Sequence, residues 1–155
     1  MTAVGAINRS PKVLALVSDA FGGHGGISLY MRDVLRCIAS MDSDIEVTLI
    51  ARTGKPEGAH LPSNIHWIKE GLNGKWAFVK AVFLSLVMRD KLDLVICGHI
   101  NLLPLAKLAA ASSNAPIVLF IYGIDAWEPP KSTASRKLAK TANRINAISE
   151  ITRQR

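Results

Sequence analysis

Glycine, histidine and acidic residues cluster where the first apolar run of the sequence ends. Asp19 opens this cluster, and four glycines and a histidine follow within five positions, at Gly22, Gly23, His24, Gly25 and Gly26. Glycine lets a ligand approach the backbone closely, and a helix that starts at residue 27 would offer free N–H groups and a partial positive charge. The segment therefore predicts an anion site, and a nucleotide diphosphate is the expected ligand. The alternatives are a tight turn without a ligand and, for Asp19, a helix or turn cap.

Polar and aromatic residues also follow three later apolar runs. They are His99 and Asn101 after 93–97, Tyr122, Asp125 and Trp127 after 116–121, and Ser149 after 144–148. The candidate catalytic residues are His99, Asp125 and Tyr122. Candidate contacts to a substrate or its phosphates are Asn101, Trp127 and Ser149, together with the residues of the first cluster. An ordinary loop histidine, a tryptophan that packs its own loop and a helix N-cap are the competing interpretations of His99, Trp127 and Ser149.

Two common cofactor classes fit these residues poorly. A dinucleotide fingerprint needs G-x-G-x-x-G, but no third glycine stands in place after Gly23 and Gly25. The acid that NAD requires at the end of the second strand is replaced by Arg52, which leaves only a 2′-phosphate of NADP as a dinucleotide alternative. No Cys/His spacing suggests a metal site. We therefore predict no cofactor and no metal.

The spacing of apolar residues predicts the elements that must position these groups. Short apolar runs predict strands at 12–18, 45–51, 64–69, 93–97, 116–121 and 144–148. Helical spacing predicts helices at 27–41, 75–91, 102–112 and 132–142. Alternating strands and helices form right-handed crossovers, so the fold class is α/β, a Rossmann-like, mostly parallel sheet of about six strands with helices on both faces. Residues 1–11 form a polar tail, and 12–155 form one domain.

Ligands of such sheets bind at the carboxyl ends of the strands, near the point where strand order reverses. Glycine, histidine, acidic and aromatic residues are concentrated at that rim, whereas few occur in the turns assigned to the opposite rim. This asymmetry predicts a ligand site at that rim.

Charge and hydropathy limit the partners. The net charge is +7, with a basic excess between residues 131 and 155. That segment has no aromatic residues for base stacking, so we expect no nucleic acid, and a solvated helix face is its simplest interpretation. The predicted helix 75–91 has no broad polar face, which indicates burial beneath another element, a dimer, or contact with a membrane surface through Trp76 and nearby basic residues. No apolar run is long enough to cross a bilayer. We expect a cytoplasmic chain with Cys37 and Cys97 reduced and buried.

Several segments together resemble glycosyltransferase family 4. They are FGGHGGISLYMRDVLRCIA, DLVICGHIN, PIVLFIYGIDAWEPP and RINAISEITRQR, in the family's order. The resemblance covers residues 12–155 and implies the N-terminal half of a GT-B enzyme that transfers a hexosyl group from a nucleotide-sugar with retention and without a metal ion. It also implies that Gly25 and Gly26 face the donor phosphates and the acceptor, and that the acceptor is a glycan or a lipid-linked sugar at the cytoplasmic membrane face.

The sequence departs from that family in two respects. Tyr122 stands where the family has a histidine, although Gly123, Asp125 and Trp127 keep the motif; tyrosine is a poor proton shuttle near neutral pH. The paired glutamates of the family's donor-binding C-terminal domain are absent, so we expect this chain alone to be inactive. One alternative hypothesis is a stand-alone module that binds a nucleotide or a glycan, or that activates a separate catalytic chain. A further alternative is an unrelated Rossmann-like oxidoreductase or epimerase domain.

Overall fold

The strands of the chain form one all-parallel sheet. The computed structural model describes residues 9–58, 60–88, 91–123 and 133–148. Within these ranges the sheet has six strands, which are β1 Lys12–Val17, β2 Glu46–Ala51, β3 Ile65–Trp67, β4 Leu94–Cys97, β5 Ile117–Ile121 and β6 Arg144–Ala147. The last five residues of both β1 and β2 are buried, as expected of parallel strands with helices on both faces.

The strand order is β3-β2-β1-β4-β5-β6. From β1 the chain moves outward through β2 to β3, and it then crosses to β4 on the other side of β1 and continues to β6. The direction of travel therefore reverses between β1 and β4, which pair in parallel with Leu16 opposite Cys97. The order and the pairing confirm the α/β, Rossmann-like prediction, with every strand pair parallel.

Helices cover both faces of the sheet. They are α1 Gly26–Met41, α2 Lys75–Val87, α3 Leu103–Ala111 and α4 Thr133–Ala139, with two short 3-10 helices at Lys69–Leu72 and Ile100–Leu102. Met31 and Leu35 of α1 pack with Ala15 and Leu49 on one face. The other face carries α2, α3 and α4, and its core contains Leu14 and other alternate strand residues. Each large side chain buried in this way contributes about 1.5–3 kcal/mol to folding.

Three elements end two or more residues earlier than their spacing predicts. β3 stops at Trp67, because Ile68 N–H makes the last ladder bond to the Leu49 carbonyl at 2.9 Å and the chain then turns into the 3-10 helix Lys69–Leu72. α2 ends at Val87, where Met88 N–H donates to the Leu84 carbonyl at 3.2 Å. α4 ends at Ala139 rather than 142. Helix ends fray within a residue or two, so periodicity alone does not locate them.

The two cysteines differ in environment. Cys97 is fully buried in β4, as predicted, and this burial raises the pKa of its thiol to about 12, although a contact with the His99 backbone carbonyl partly offsets the shift. The prediction for Cys37 was wrong, because its side chain is exposed. Met31, Leu35 and Ala39 define the buried side of α1. Cys37 lies two residues after Leu35, which turns it toward solvent.

Candidate functional site

The loops after β1 and β4 lie side by side at the switch point. Gly98 N–H donates to the Leu16 carbonyl at 2.8 Å. A Cβ atom at Gly98 would lie 2.9 Å from Val17 Cγ1, so a larger residue would push the two strand ends apart. Parallel α/β sheets bind ligands in the crevice that such diverging loops create. The candidate site therefore has a first wall at residues 18–25 and a second at 98–102.

Asp19 organises the first wall. Its carboxylate accepts hydrogen bonds from the Gly22 amide at 3.3 Å and from the Ser28 hydroxyl at 3.0 Å. Arg32 of α1 donates to the Gly23 carbonyl at 2.7 Å. These bonds tie the loop to the first two turns of α1. Asp19 therefore makes the turn-capping contacts of its alternative prediction, and these contacts engage both of its carboxylate oxygens.

The glycines of this loop fall into two groups. A Cβ atom at Gly22 would lie 2.4 Å from the Lys55 amide nitrogen, and one at Gly23 would lie 2.0 Å from an Asp19 oxygen, so internal packing requires glycine at both positions. At Gly25 and Gly26 a Cβ atom would meet no atom of the described chain within 4 Å. Gly25 also has φ −71° and ψ 157°, which any residue adopts. Neither packing nor the Gly25 backbone requires glycine at this pair.

Gly25 and Gly26 stand at the exposed start of α1. Gly25 is the N-cap, its carbonyl accepts from Leu29 N–H at 3.0 Å, and no side chain of the described residues caps the helix. The amides of the first turn therefore have no acceptor within the helix, and they carry its positive end. Ile27, Leu29 and Tyr30 surround this point and are 43%, 45% and 37% exposed. No atom of the described residues lies within 4 Å of where a Cβ atom at Gly25 or Gly26 would stand, so the described structure leaves space for an anion beside these amides.

The second wall holds His99 and Asn101. The His99 Nδ1 atom accepts a hydrogen bond from the Asn101 amide at 3.1 Å, which caps the 3-10 helix Ile100–Leu102. A neutral His99 therefore carries its proton on Nε2 and is a donor there. His99 is half-buried and Asn101 is exposed. His99 thus combines a local structural contact with a position at the switch point.

The remaining predicted residues belong to the β5 and β6 ends. Tyr122 is 3% exposed and packs in the α1-side core, so its ring lies beneath the surface of the rim. Asp125, Trp127 and Ser149 lie outside the described residues. The structure therefore brings the loops of Gly25, Gly26, His99 and Asn101 to one rim and leaves Tyr122 as a packed neighbour.

A cleft that was not predicted lies on the other side of the first wall, between α1 and the loop after β2. We call it the α1–β2 cleft; its volume is about 790 Å³. It is lined by Asp19, Phe21, Gly22, His24, Arg32, Arg36, Thr53, Gly54, Lys55, Glu57, Gly58 and His60. Arg32 and Arg36 are four residues apart in a predicted helix, so the sequence indicates that they share one helix face. No spacing in the sequence predicts that the residues of the loop after β2 face these arginines.

The end of β2 bears on the cofactor question. β2 finishes at Ala51, and the exposed Arg52 follows where a ribose-binding acid of an NAD site would stand. Among residues 9–58, 60–88, 91–123 and 133–148, no group of three or more His, Cys, Asp or Glu side chains could hold a metal ion.

The exposed side of α2 is largely apolar. Trp76, Phe83 and Val87 are 79%, 47% and 82% exposed, while Phe78 and Val82 are buried against the sheet. The three exposed residues recur at helical spacing, with Lys80 between them, and we call them the α2 stripe. In the described part of the chain no helix is long and apolar enough to cross a membrane. The side of α2 that faces away from the sheet is therefore largely apolar and exposed, and not polar as on most surface helices.

Known proteins show little similarity to this chain. No protein-family model matches the chain, and no curated protein does. A solved structure of a protein of unknown function from Vibrio parahaemolyticus has a TM-score of 0.39 and 12% sequence identity, covering 93% of this chain and 96% of that one.

Proposed function

We propose that this chain is the acceptor-side domain of a retaining, nucleotide-sugar-dependent glycosyltransferase of the GT-B type. The observation that carries the proposal is the pair Gly25 and Gly26. These glycines stand at an uncapped helix start, and a side chain there would meet nothing in the described chain. An outside group that needs close access to the backbone, such as a diphosphate, gives a reason for glycine there.

The switch-point position supports the same proposal. The exposed Ile27, Leu29 and Tyr30 form an apolar rim beside the glycines, as expected of a cleft wall that a second, donor-binding domain covers. In the proposed enzyme that domain binds most of the nucleotide-sugar, and this one presents amides to the phosphates and holds the acceptor.

The chain alone should bind nucleotide-sugars weakly. One uncapped helix start contributes only about 1–2 kcal/mol to anion binding, so we expect a Kd of about millimolar or weaker for UDP-glucose or GDP-mannose. Amide NMR titration of the purified chain measures the affinity and locates the contact, which we expect at residues 24–28. Micromolar binding of either donor would contradict the two-domain proposal and favour a stand-alone nucleotide-binding module. Micromolar binding of NADP would instead favour an oxidoreductase domain.

The α2 stripe supports a membrane-facing acceptor. It combines an exposed tryptophan and phenylalanine with Lys75 and Lys80, and the chain is strongly basic. Such a surface suits an anionic lipid interface, where aromatic rings enter the headgroup region and lysines meet its charge. We therefore include peripheral contact with anionic membranes in the proposed function, because it would bring the domain to a lipid-linked sugar.

Vesicle sedimentation tests this contact. We expect the chain to bind vesicles of equal parts phosphatidylglycerol and phosphatidylcholine, and Trp76→Ser to weaken binding about tenfold because a large apolar side chain no longer enters the interface. Leu108→Ser is the matched control, since Leu108 is 45% exposed on α3, outside the stripe. Equal loss in both variants, or a concentration-dependent dimer abolished by Trp76→Ser in the absence of lipid, would contradict the membrane assignment.

A further inference from the structure

The α1–β2 cleft holds positive charge that its own acids do not neutralise. Arg32 and Arg36 reach it from α1, and Lys55 reaches it from the loop after β2. Asp19 and Glu57 also line it. The salt bridges of the described residues join Arg9 to Asp93 and Lys12 to Glu46, and none of them lies in this cleft.

The cations of the cleft differ in how fully they are engaged. Arg32 donates to the carbonyls of Ala20 and Gly23, at 3.3 and 2.7 Å, so it holds the loop in place. Arg36 makes a single long bond, 3.4 Å, to the His60 carbonyl, which leaves most of its five N–H donors unused in the described structure. The ammonium group of Lys55 makes no hydrogen bond or ion pair with another residue of the described ranges.

Packing around Phe21 fixes the two arginines relative to each other. The guanidinium carbons of Arg32 and Arg36 lie 6.0 and 5.6 Å from the centre of the Phe21 ring, which is itself buried. Cations at this distance are attracted to the ring face. Arg36 is exposed, and its guanidinium lies over the ring of the buried Phe21.

The backbone around Lys55 is held as firmly. Its N–H donates to the Gly22 carbonyl at 3.0 Å, and Thr53 donates from both its N–H and its hydroxyl to the Ser18 carbonyl at 2.9 Å. These bonds fix the start of the β2 loop against the β1 loop. Arg36 and Lys55 thus line the same cleft, one from α1 and one from the loop after β2, and the backbone that carries Lys55 is fixed by these bonds, which lowers the cost of ordering the site around an anion.

We propose that the α1–β2 cleft binds a phosphorylated sugar, with its phosphate between Arg36 and Lys55. An arginine fork and a lysine point charge are the side chains that recognise phosphate oxygens. A volume of about 790 Å³ exceeds what one ion needs and accommodates a sugar ring beside the phosphate. The inference rests on the proposed function only in naming this ligand as the acceptor; the binding of the phosphate itself does not depend on transfer activity.

Titration calorimetry and amide NMR of the whole chain test the cleft with glucose 6-phosphate, inorganic phosphate and glucose. We expect binding of the two phosphates but not of glucose, with shifts at residues 53–58. Arg36→Gln and Lys55→Gln should each weaken glucose 6-phosphate binding roughly tenfold, because each removes a charged partner of the phosphate. Lys69→Gln, which removes an exposed lysine on the 3-10 helix, is the matched control and should leave affinity unchanged.

Two outcomes would overturn the cleft assignment. One is absence of phosphate binding by the unaltered chain, and the other is an equal loss in Lys69→Gln and Lys55→Gln, which would indicate a general charge effect. Lys55→Gln keeps the test valid if Arg36→Gln lowers the melting temperature, because the Lys55 side chain has no partner in the described structure. Gly26→Trp separates this inference from the proposed function, since it should leave glucose 6-phosphate binding intact. Binding to phosphatidic acid vesicles that Lys55→Gln weakens, without inhibition by glucose 6-phosphate, would assign the cleft to a lipid phosphate and overturn the phosphorylated sugar as its ligand.

Discussion

Replacement of Gly22 by alanine is expected to lower the free energy of unfolding by about 2 kcal/mol, as overpacking typically does. A Cβ atom there would lie 2.4 Å from the Lys55 amide nitrogen and 2.6 Å from the Gly54 Cα atom. Both obstacles are backbone, so no side chain can rotate away, and the Lys55 N–H bond to the Gly22 carbonyl must lengthen. Thermal unfolding followed by circular dichroism should show a fall in Tm of roughly 4–8 °C for a chain of this size.

Gly26→Ala is the control for this prediction, because it makes the same chemical change at a nearby loop position. A methyl group at Gly26 meets no atom of the described chain within 4 Å, and alanine favours a helix more than glycine does. Stability should stay the same or rise by up to about 1 kcal/mol. If both variants lost equal stability, the division of the loop into packed and open glycines would be wrong.

The fold could be predicted from the sequence because its signals are local. The buried runs of β1 and β2 are short, apolar and bounded by polar turns, and α1 carries its core residues at helical spacing. Parallel order then follows from the alternation of strands and helices. The polar loops predicted at the carboxyl ends include those of Gly25 and His99, and the observed topology makes the strands that they follow neighbours at the switch point.

The details that escaped prediction depend on tertiary contacts. Nothing in the composition of residues 64–69 shows that β3 is an edge strand, so its early end could not be foreseen. The apolar character of α2 was visible, but the side left without a cover was not, since that depends on how the helix rotates onto the sheet. The α1–β2 cleft joins residues about 20 positions apart, Arg36 and Lys55, and only the approach of α1 and the loop after β2 brings them together.

These contacts also separate two roles that one loop combines. The β1 loop uses Gly22 and Gly23 to pack against Gly54 and Asp19, and it uses Gly25 and Gly26 to leave a helix start open. The packed pair holds the frame of the α1–β2 cleft, and the open pair belongs to the proposed donor-phosphate contact. Substitutions on either side should therefore affect different ligands, which makes the two proposals separable in one molecule.

In the two-domain transferase proposed here, Gly26→Trp is expected to abolish sugar transfer, with a loss in kcat/KM of at least about a thousandfold, as when a reacting group is displaced from its position. The indole would occupy the space at the α1 start, where the donor phosphates are expected to meet the helix amides. A radiolabelled nucleotide-sugar assay on the complete enzyme measures the loss. Because a Cβ atom at Gly26 meets nothing in the described chain, the melting temperature should change little.

A comparison of a small and a large side chain at Gly26 tests whether the loss of activity comes from filling the open space. Gly26→Ala adds one methyl group in the same open space, so it should retain a measurable fraction of the turnover, while Gly26→Trp should retain none. Lys69→Trp provides a control for adding an exposed indole outside the two walls of the site, on the 3-10 helix that follows β3. If Gly26→Trp transferred sugar at the normal rate with an unchanged melting temperature, the open glycines would not face the donor, and the switch point would lose its role in the proposed reaction. If it unfolded, the start of α1 would be packed in the complete protein by an element that requires glycine, and the phosphate contact would be wrong for that reason instead.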